Sequence, residues 1–391
     1  MDTPVMALRS LRVKMKHVFS CDVNKFAKQT IMGNFAPRIF YDDLTKRDNT
    51  KVPKVALYVA GFPCQPFSPA GLRQGFEDAR GRGEIFWHVR DYLEKKEPRA
   101  FVLENVSGLV RINRGVYYRS IIEALNALGS YNIYTQVMNT MEHGVPQNRG
   151  RIYFVGINRR FDDGTFQFPE PLPKPSIEPF LEKRKERPST QSLPSKNQGT
   201  ARANVLRALK VIKARGHDPL EEPFIVDCDS SPSRMKFVLD ATPCLTCARF
   251  KGHWVTNRMR RLTKAEMMRL QGMEPKNFKV VVPEAQLGRQ IGNAMSVNVL
   301  ERLFVRLLPA AKLVARKWLA DTWQAKAPQQ KPSCNKRMLR SDISFCKPGG
   351  GQDAVTAKLE RVALRLRRVN RRQLQRCLPP SLRGKRPRPS Q

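Results

Sequence analysis

The segment VALYVAGFPCQPFSPAG (55–71) decides the architecture. Its first seven residues are a short, continuous apolar run closing in glycine, the composition of a strand buried in a parallel sheet. Directly after it Cys64 stands between prolines on a turn. Outward from this point the pattern repeats. HVFSC (17–21) reads as a strand ending at Asp22, preceded by a helix over 5–15 and followed by a second helix, NKFAKQTIMGNF (24–35). Downstream come a helix around 84–95, strand AFVLEN (100–105), a helix over 117–128, and strands over 131–138 and 151–157. Strands alternating with helices predict an α/β fold with a doubly wound, mostly parallel sheet. In such sheets the chemistry gathers at the carboxyl ends of the strands. Cys64 and Glu104 both fall there.

The 391 residues suffice for one large α/β domain, a smaller one and a tail, and 41% hydrophobic residues supply a core. A net charge of +37 repels itself unless it meets a polyanion, of which nucleic acid is the commonest. An acidic membrane surface is the other reading. The eight cysteines lack the dense spacing of a disulfide scaffold. There is no apolar run of bilayer length and no secretory signal, so a reducing intracellular compartment is expected. MALRSLRVKMK (6–16) reads either as a short transit peptide or as an ordinary amphipathic helix.

Between about 165 and 200 the chain is rich in Pro, Ser and Lys, as in a connector. Residues 201–257 resist assignment. Helical patterns resume over 261–271 and 293–308. From about 325 the chain is basic and proline-containing. Within it Val355, Leu359, Val362, Leu366 and Val369 recur at helical spacing beside arginines. That is either a basic amphipathic helix for an acidic surface or partner helix, or a tail with residual helicity.

A lone cysteine is usually a small core residue. Cys64 differs because flanking prolines and a strand end present it to the ligand crevice, where a thiolate is a nucleophile. Glu104 closes the next apolar strand, and a carboxylate there is costly to bury without a task. GFPCQPFS (61–68), ENV (104–106), QNRGR (147–151), RRLTKAEMMRLQG (260–272) and QIGNAMSVNVL (290–300) resemble, in order and approximate spacing, five motifs of the cytosine-5 DNA methyltransferases.

The resemblance implies a class I S-adenosylmethionine-dependent methyltransferase fold with a smaller target-recognition domain. It implies that Cys64 adds to C6 of a cytosine extruded from double-stranded DNA, making C5 able to accept a methyl group from S-adenosylmethionine. Glu104 matches the acid that contacts N3, help of a kind worth about 10²–10⁴-fold. Arg149 and Arg151 match paired arginines, the second of which holds the base. Asp22 matches the acid on the cofactor ribose, Asp43 a residue near its adenine, and Pro63, Ile85 and Asn293 further cofactor contacts. Gln65, Ser68 and Arg82 lie on a loop that closes over DNA, with glycines as hinges. The implied organisation is a catalytic domain over 1–157 and 258–324, target recognition over 158–257, and a basic tail over 325–391. The protein is expected to act as a monomer, away from membranes, and GKRPRP (384–389) suggests a nuclear address.

One departure stands out. The family opens with a strand and a glycine-rich turn of the type DLFAGxGG, and nothing before His17 matches it. The first central strand is therefore expected to be missing from this sequence, which is read as truncated relative to the working protein. Cys244 and Cys247 form a CxxC with Cys228 and His253 nearby. Four zinc donors are countable but only one close pair exists, and no metal is expected. Two rivals share the motifs: a tRNA cytosine-5 methyltransferase, and a catalytically silent DNA-binding relative. Deleting residues 325–391 should weaken DNA binding more at low salt than at high salt, and equal losses in a salt titration would refute an electrostatic tail.

Overall fold

The computed structural model describes residues 1–62, 85–184 and 193–326. In chain order the elements are α1 (Thr3–Ser10), β1 (Phe19–Cys21), α2 (Lys25–Asn34), β2 (Ile39–Tyr41), β3 (Leu57–Gly61), α3 (Ile85–Lys96), β4 (Ala100–Val106), α4 (Val116–Asn126), β5 (Tyr131–Asn139), β6 (Gln147–Asn148) and β7 (Gly150–Asn158). There follow α5 (Gly199–Ala214), β8 (Phe224–Val226), β9 (Phe237–Leu239), β10 (Thr242–Pro243), β11 (Trp254–Val255), β12 (Arg260–Arg261), α6 (Lys264–Arg269), α7 (Glu284–Asn293), α8 (Val297–Ala310) and α9 (Thr322–Lys326).

The principal sheet runs β3-β4-β7-β5. β3 and β4 are parallel, with Gly61 opposite Glu104. β7 is antiparallel to both β4 and β5. β3, β4 and β5 therefore share one direction, as the strand–helix alternation predicts, and β7 alone is reversed between β4 and β5. The reason is the connection: only Thr140 to Arg149 separate β5 from β7, too short for a crossover helix, so β7 returns antiparallel. β4 is buried almost throughout, as a central strand covered on both faces must be.

β1 and β2 pair in parallel as a separate ladder. Among the described residues no strand is hydrogen-bonded to both β1 and β3. Side chains bridge the two ladders instead. Phe19 on β1 approaches Tyr58 on β3 with ring centroids 6.3 Å apart, and Tyr58 stacks on Tyr92 of α3 at 4.6 Å. The buried Arg47 guanidinium lies 5.3 Å from the Phe19 and Tyr92 ring centroids, a cation–π arrangement.

α1 is shorter than its pattern suggests. Arg12 turns left-handed at φ 55°, and Val13 N donates back to Leu8 O, closing the helix. α2 begins where expected, because Asn24 Oδ1 accepts from Phe26 N and Ala27 N. α5 and the small sheet β12-β11-β8-β9 occupy the stretch that resisted assignment, around a core that includes Val205, Ile212, Phe224 and Trp254. Its strands are too short to show a period. α7 presses directly on segment 246–250: a Cβ on Gly288 would meet Phe250 O at 2.2 Å, and one on Gly292 the Thr246 carbonyl carbon at 2.2 Å. Four residues apart, these glycines share one helix face.

α8 is buried on nearly every side and carries two charged residues inward. Arg302 Nε donates to Asp321 Oδ2 at 2.8 Å and Nη1 to His143 Nδ1 at 2.6 Å. Burial, with the Arg302 charge, pushes the His143 ring down to about 4. A histidine held neutral in the fold contributes stability that is present above about pH 6.5 and is lost as pH falls towards 4. His253, buried, is also held below the ordinary histidine value. Denaturant melts should therefore show stability falling by about 2 kcal/mol from His143 alone between pH 6.5 and 5. His143→Gln should flatten that slope in part, leaving the share from His253.

Candidate active site

Three strand ends meet at one edge of the principal sheet. β3 ends at Gly61, β4 ends just past Glu104, and β7 begins at Gly150 and Arg151. Arg151 Nε lies 2.9 Å from Glu104 Oε1. This is an ion pair by distance only: the N–H does not point at the oxygen, and Oε1 accepts no hydrogen bond. Glu104 is only 9% exposed. A carboxylate so far removed from water, with an oxygen unspent, has the free energy to reward a ligand that donates to it. Arg151 is steadied by Nη1 donating to Gly150 O at 2.8 Å. Burial, and next the Glu104 charge, raise the Tyr153 phenol, so it stays neutral beneath the pair.

β3 leads from Gly61 through Phe62 into the stretch carrying Cys64. Asn105 Nδ2 donates to Phe62 O at 3.5 Å, tying that end of β3 to the Glu104 strand. A Cβ on Gly61 would lie 3.1 Å from Met295 Cε and 3.5 Å from Glu104 Oε2, so this end of β3 runs close beside the Glu104 carboxylate. Pro63, Cys64, Gln65, Ser68 and Arg82 lie outside the described residues.

Arg149 is spent differently. It is 2% exposed, and its guanidinium donates to three backbone carbonyls: Leu245 O (2.8 Å), Gly292 O (3.2 Å) and Ala294 O (2.7 Å). Cys244 Sγ accepts from both arginines, at 3.5 Å from Arg149 Nη1 and 3.9 Å from Arg151 Nη2. Beside it runs a chain of buried amides that sequence reasoning did not single out. Gln147 Nε2 donates to Leu270 O (2.6 Å) and Gln271 Oε1 (3.1 Å), while Gln147 Oε1 accepts from Leu245 N (2.9 Å). Gln271 Oε1 also accepts from Ser296 Oγ, which bonds Thr140 Oγ1. The signal was in the quoted motifs QNRGR and RLQG, but a glutamine's burial is invisible in sequence.

RRLTKAE has a local role. Thr263 and Glu266 form a reciprocal capping box at the start of α6. The fully buried Glu266 also accepts both Arg260 guanidinium nitrogens at 2.8 Å.

At the carboxyl ends of β1 and β2 a second cluster forms. Asp22 N donates to Tyr41 O, which sets Asp22 beside the segment holding Asp43. Asp22 Oδ1 accepts from Asn24 N. The Thr45 hydroxyl, then its N–H, hold Asp43 below the usual carboxylate range. Cys21 lies among these acids and Arg47, its thiol pushed up to about 11 by burial. Next to Asp22, Val23 is 76% exposed. An acid at a strand end beside an open apolar face fits a nucleoside: hydroxyls to the acid, base against the side chain. Ile85 opens α3 and Asn293, exposed, closes α7. Among the described residues neither bonds the two acids through its side chain.

Three of the four possible zinc donors, Cys228, Cys244 and His253, have other partners. Cys228 Sγ accepts from Arg261 Nη1, Cys244 from the paired arginines, and His253 Nδ1 stands 3.6 Å from Asp227 Oδ1. Among the described residues no three His, Cys, Asp or Glu side chains group as metal ligands.

A family model for C-5 cytosine-specific DNA methylases matches residues 6–308. The chain belongs to that family. Its reaction class is accordingly methylation of cytosine C5 in DNA. It is similar to the type II methyltransferase M.NgoBI of Neisseria gonorrhoeae, 34% identical over 311 residues, 78% of this chain and 90% of that protein. M.HpaII of Haemophilus parainfluenzae is 30% identical over 302 residues, 75% of this chain and 83% of the relative. Of solved structures, S. pombe Dnmt2 methyltransferase superposes with TM-score 0.52 at 19% identity, covering 78% of this chain and 94% of its own. Entamoeba histolytica EhMeth does so with TM-score 0.52 at 16%, covering 78% and 95%. These structures share the methylase's fold.

Replacing Arg149 by Met should destabilise the methylase by on the order of 3 kcal/mol, because buried carbonyls lose their donor.

Proposed function

We propose that this methylase modifies DNA cytosine through a covalent adduct between Cys64 and C6, with Glu104 as the acid at N3. The observation that carries this reading is the nine-tenths-buried Glu104, with Oε1 unspent beside Arg151, at the strand edge that β3 enters just before Cys64. A cytosine reaches such a pocket only when flipped from the duplex. The Cys64 thiolate adds to C6 while Glu104 supports protonation at N3, placing electron density on C5. S-adenosylmethionine supplies the methyl group that C5 takes up. A base then removes the C5 proton, the C6–S bond breaks and Cys64 leaves as thiolate.

Arg151 holds Glu104 and steadies the base, whereas Arg149 acts at one remove by fixing the carbonyls around the pocket. Asp22 accepts from the cofactor ribose hydroxyls, with Val23 against the adenine face and Asp43 near its amino group. Pro63, Ile85 and Asn293 complete the cofactor site, and Gln65, Ser68 and Arg82 belong to the DNA-closing loop. The catalytic domain comprises 1–157 and 258–324, with recognition of flanking bases assigned to 158–257 and auxiliary DNA attraction to 325–391. The enzyme acts as a monomer. No helix among the described residues is long and apolar enough to cross a membrane. A nuclear compartment rests on GKRPRP alone, and the bacterial relatives lend it no support.

The test is transfer of labelled methyl groups from S-adenosylmethionine to duplex DNA and, in parallel, to tRNA, with Cys64→Ala as control. Label in DNA that disappears in the control is the expected result. Label in tRNA instead would replace the substrate. Duplex binding with no transfer to either would leave a silent DNA-binding relative. The open ladder between β1 and β3 is the feature that favours that second reading.

A further inference from the structure

We propose that Arg111 and Arg114, on the turn that follows the Glu104 strand, grip the DNA phosphates flanking the target cytosine. The inference rests on the DNA reading above and adds a contact surface to it. From Asn105 to Ile122 the chain contains no acidic residue and three arginines, Arg111, Arg114 and Arg119, all exposed. Among the described residues none of the three has a carboxylate partner. Elsewhere arginines are commonly neutralised, as Arg90 is by Glu94, Arg258 by Glu178 and Arg269 by Glu182. Exposed cations left without counter-charge beside a catalytic carboxylate form a field suited to a polyanion.

The turn is built to hold them there. Leu109 is fully buried, and Ile112 packs against the same core. Between and beyond these anchors Arg111, Asn113 and Arg114 face solvent. Asn113 (φ 48°) and Arg114 (φ 52°) both adopt the left-handed conformation, followed by Gly115 at φ 78°. Two successive non-glycine residues in that region are strained and persist only where the surroundings impose them. Arg119 Nη1 imposes it in part, donating to Arg114 O at 2.9 Å. A Cβ on Gly115 would come within 3.0 Å of Val110 O and 3.2 Å of Arg119 Nη1, so only glycine lets the brace close. The segment leaves β4 beside the start of β7, where a Cβ on Gly150 would lie 3.2 Å from Ser107 Oγ. Arg111 and Arg114 therefore sit at the same end of the sheet as Glu104 and Arg151. Arg119 is a brace for them rather than a phosphate ligand.

The test uses the full chain and a fluorescent DNA duplex, with affinity measured across a salt series. Arg111→Gln with Arg114→Asn removes both charges, asparagine being tolerated in the left-handed region. The control pair, Arg159→Gln with Arg160→Gln, removes equal charge from exposed residues just past the far end of β7, about 26 Å away by strand rise. The slope of log affinity against log salt should fall by about 1.8 in the first pair, matching two lost phosphate contacts, and stay at the parent value in the control. Arg111→Gln alone, which leaves the turn unaltered, should lower it by about 0.9. Equal slope changes in the two pairs, or no change in the first, would overturn the phosphate grip while leaving the DNA reading intact. A parent chain without salt-dependent duplex binding would remove the DNA reading and this inference together.

Discussion

Burial of the QNRGR segment is the constraint on which the rest of the site depends. Gln147 and Arg149 are almost inaccessible to water and carry polar groups that must be satisfied inside the protein. Their partners come from residues 245, 270–271 and 292–294, nearly a hundred residues or more away along the chain. Each bond is worth little by itself, but an unmade one leaves a buried donor or acceptor exposed to the full desolvation cost. Three stretches far apart in the chain, around residues 245, 270–271 and 292–294, are thereby locked to the start of β7. The position of Arg151 against Glu104 follows from that lock.

The site separates its two arginines by environment. Arg149 gives its guanidinium to backbone carbonyls, and Arg151 keeps Glu104 at ion-pair distance with imperfect alignment. A carboxylate held near a cation but not hydrogen-bonded by it remains able to engage a base. The same edge of the sheet carries uncompensated arginines on the turn after β4. The Glu104 carboxylate and these surface cations thus share one side of the molecule, an arrangement suited to the proposed reaction on a polyanion.

The open ladder between β1 and β3 has a different physical character. Backbone pairing is replaced there by an aromatic cluster around Arg47, with Phe19, Tyr58 and Tyr92 in ring contact. Dispersion and cation–π attraction hold the two ladders in place, while the carboxyl ends of β1 and β2 still deliver Asp22 and Asp43 to one cluster.

Much of this was legible in the amino-acid sequence. The apolar runs at 55–61 and 100–105 mark strands because a buried strand must be apolar, and Glu104 is conspicuous because a carboxylate closes such a run. The five motifs, in order, fix the family and the reaction class. The helix over 24–35 is announced by Asn24, a capping residue whose preference is local. Tertiary structure decided what depends on partners far along the chain. β7 runs antiparallel because a short connection leaves no room for a crossover helix, although its own composition suits either direction. α5 and the small sheet escaped assignment because strands of two or three residues carry no period. Gln147 and Gln271 look like surface residues in sequence, and Arg149 is marked there by its motif and not by its burial. Only the fold, by burying them against distant carbonyls, turns them into the struts of the site.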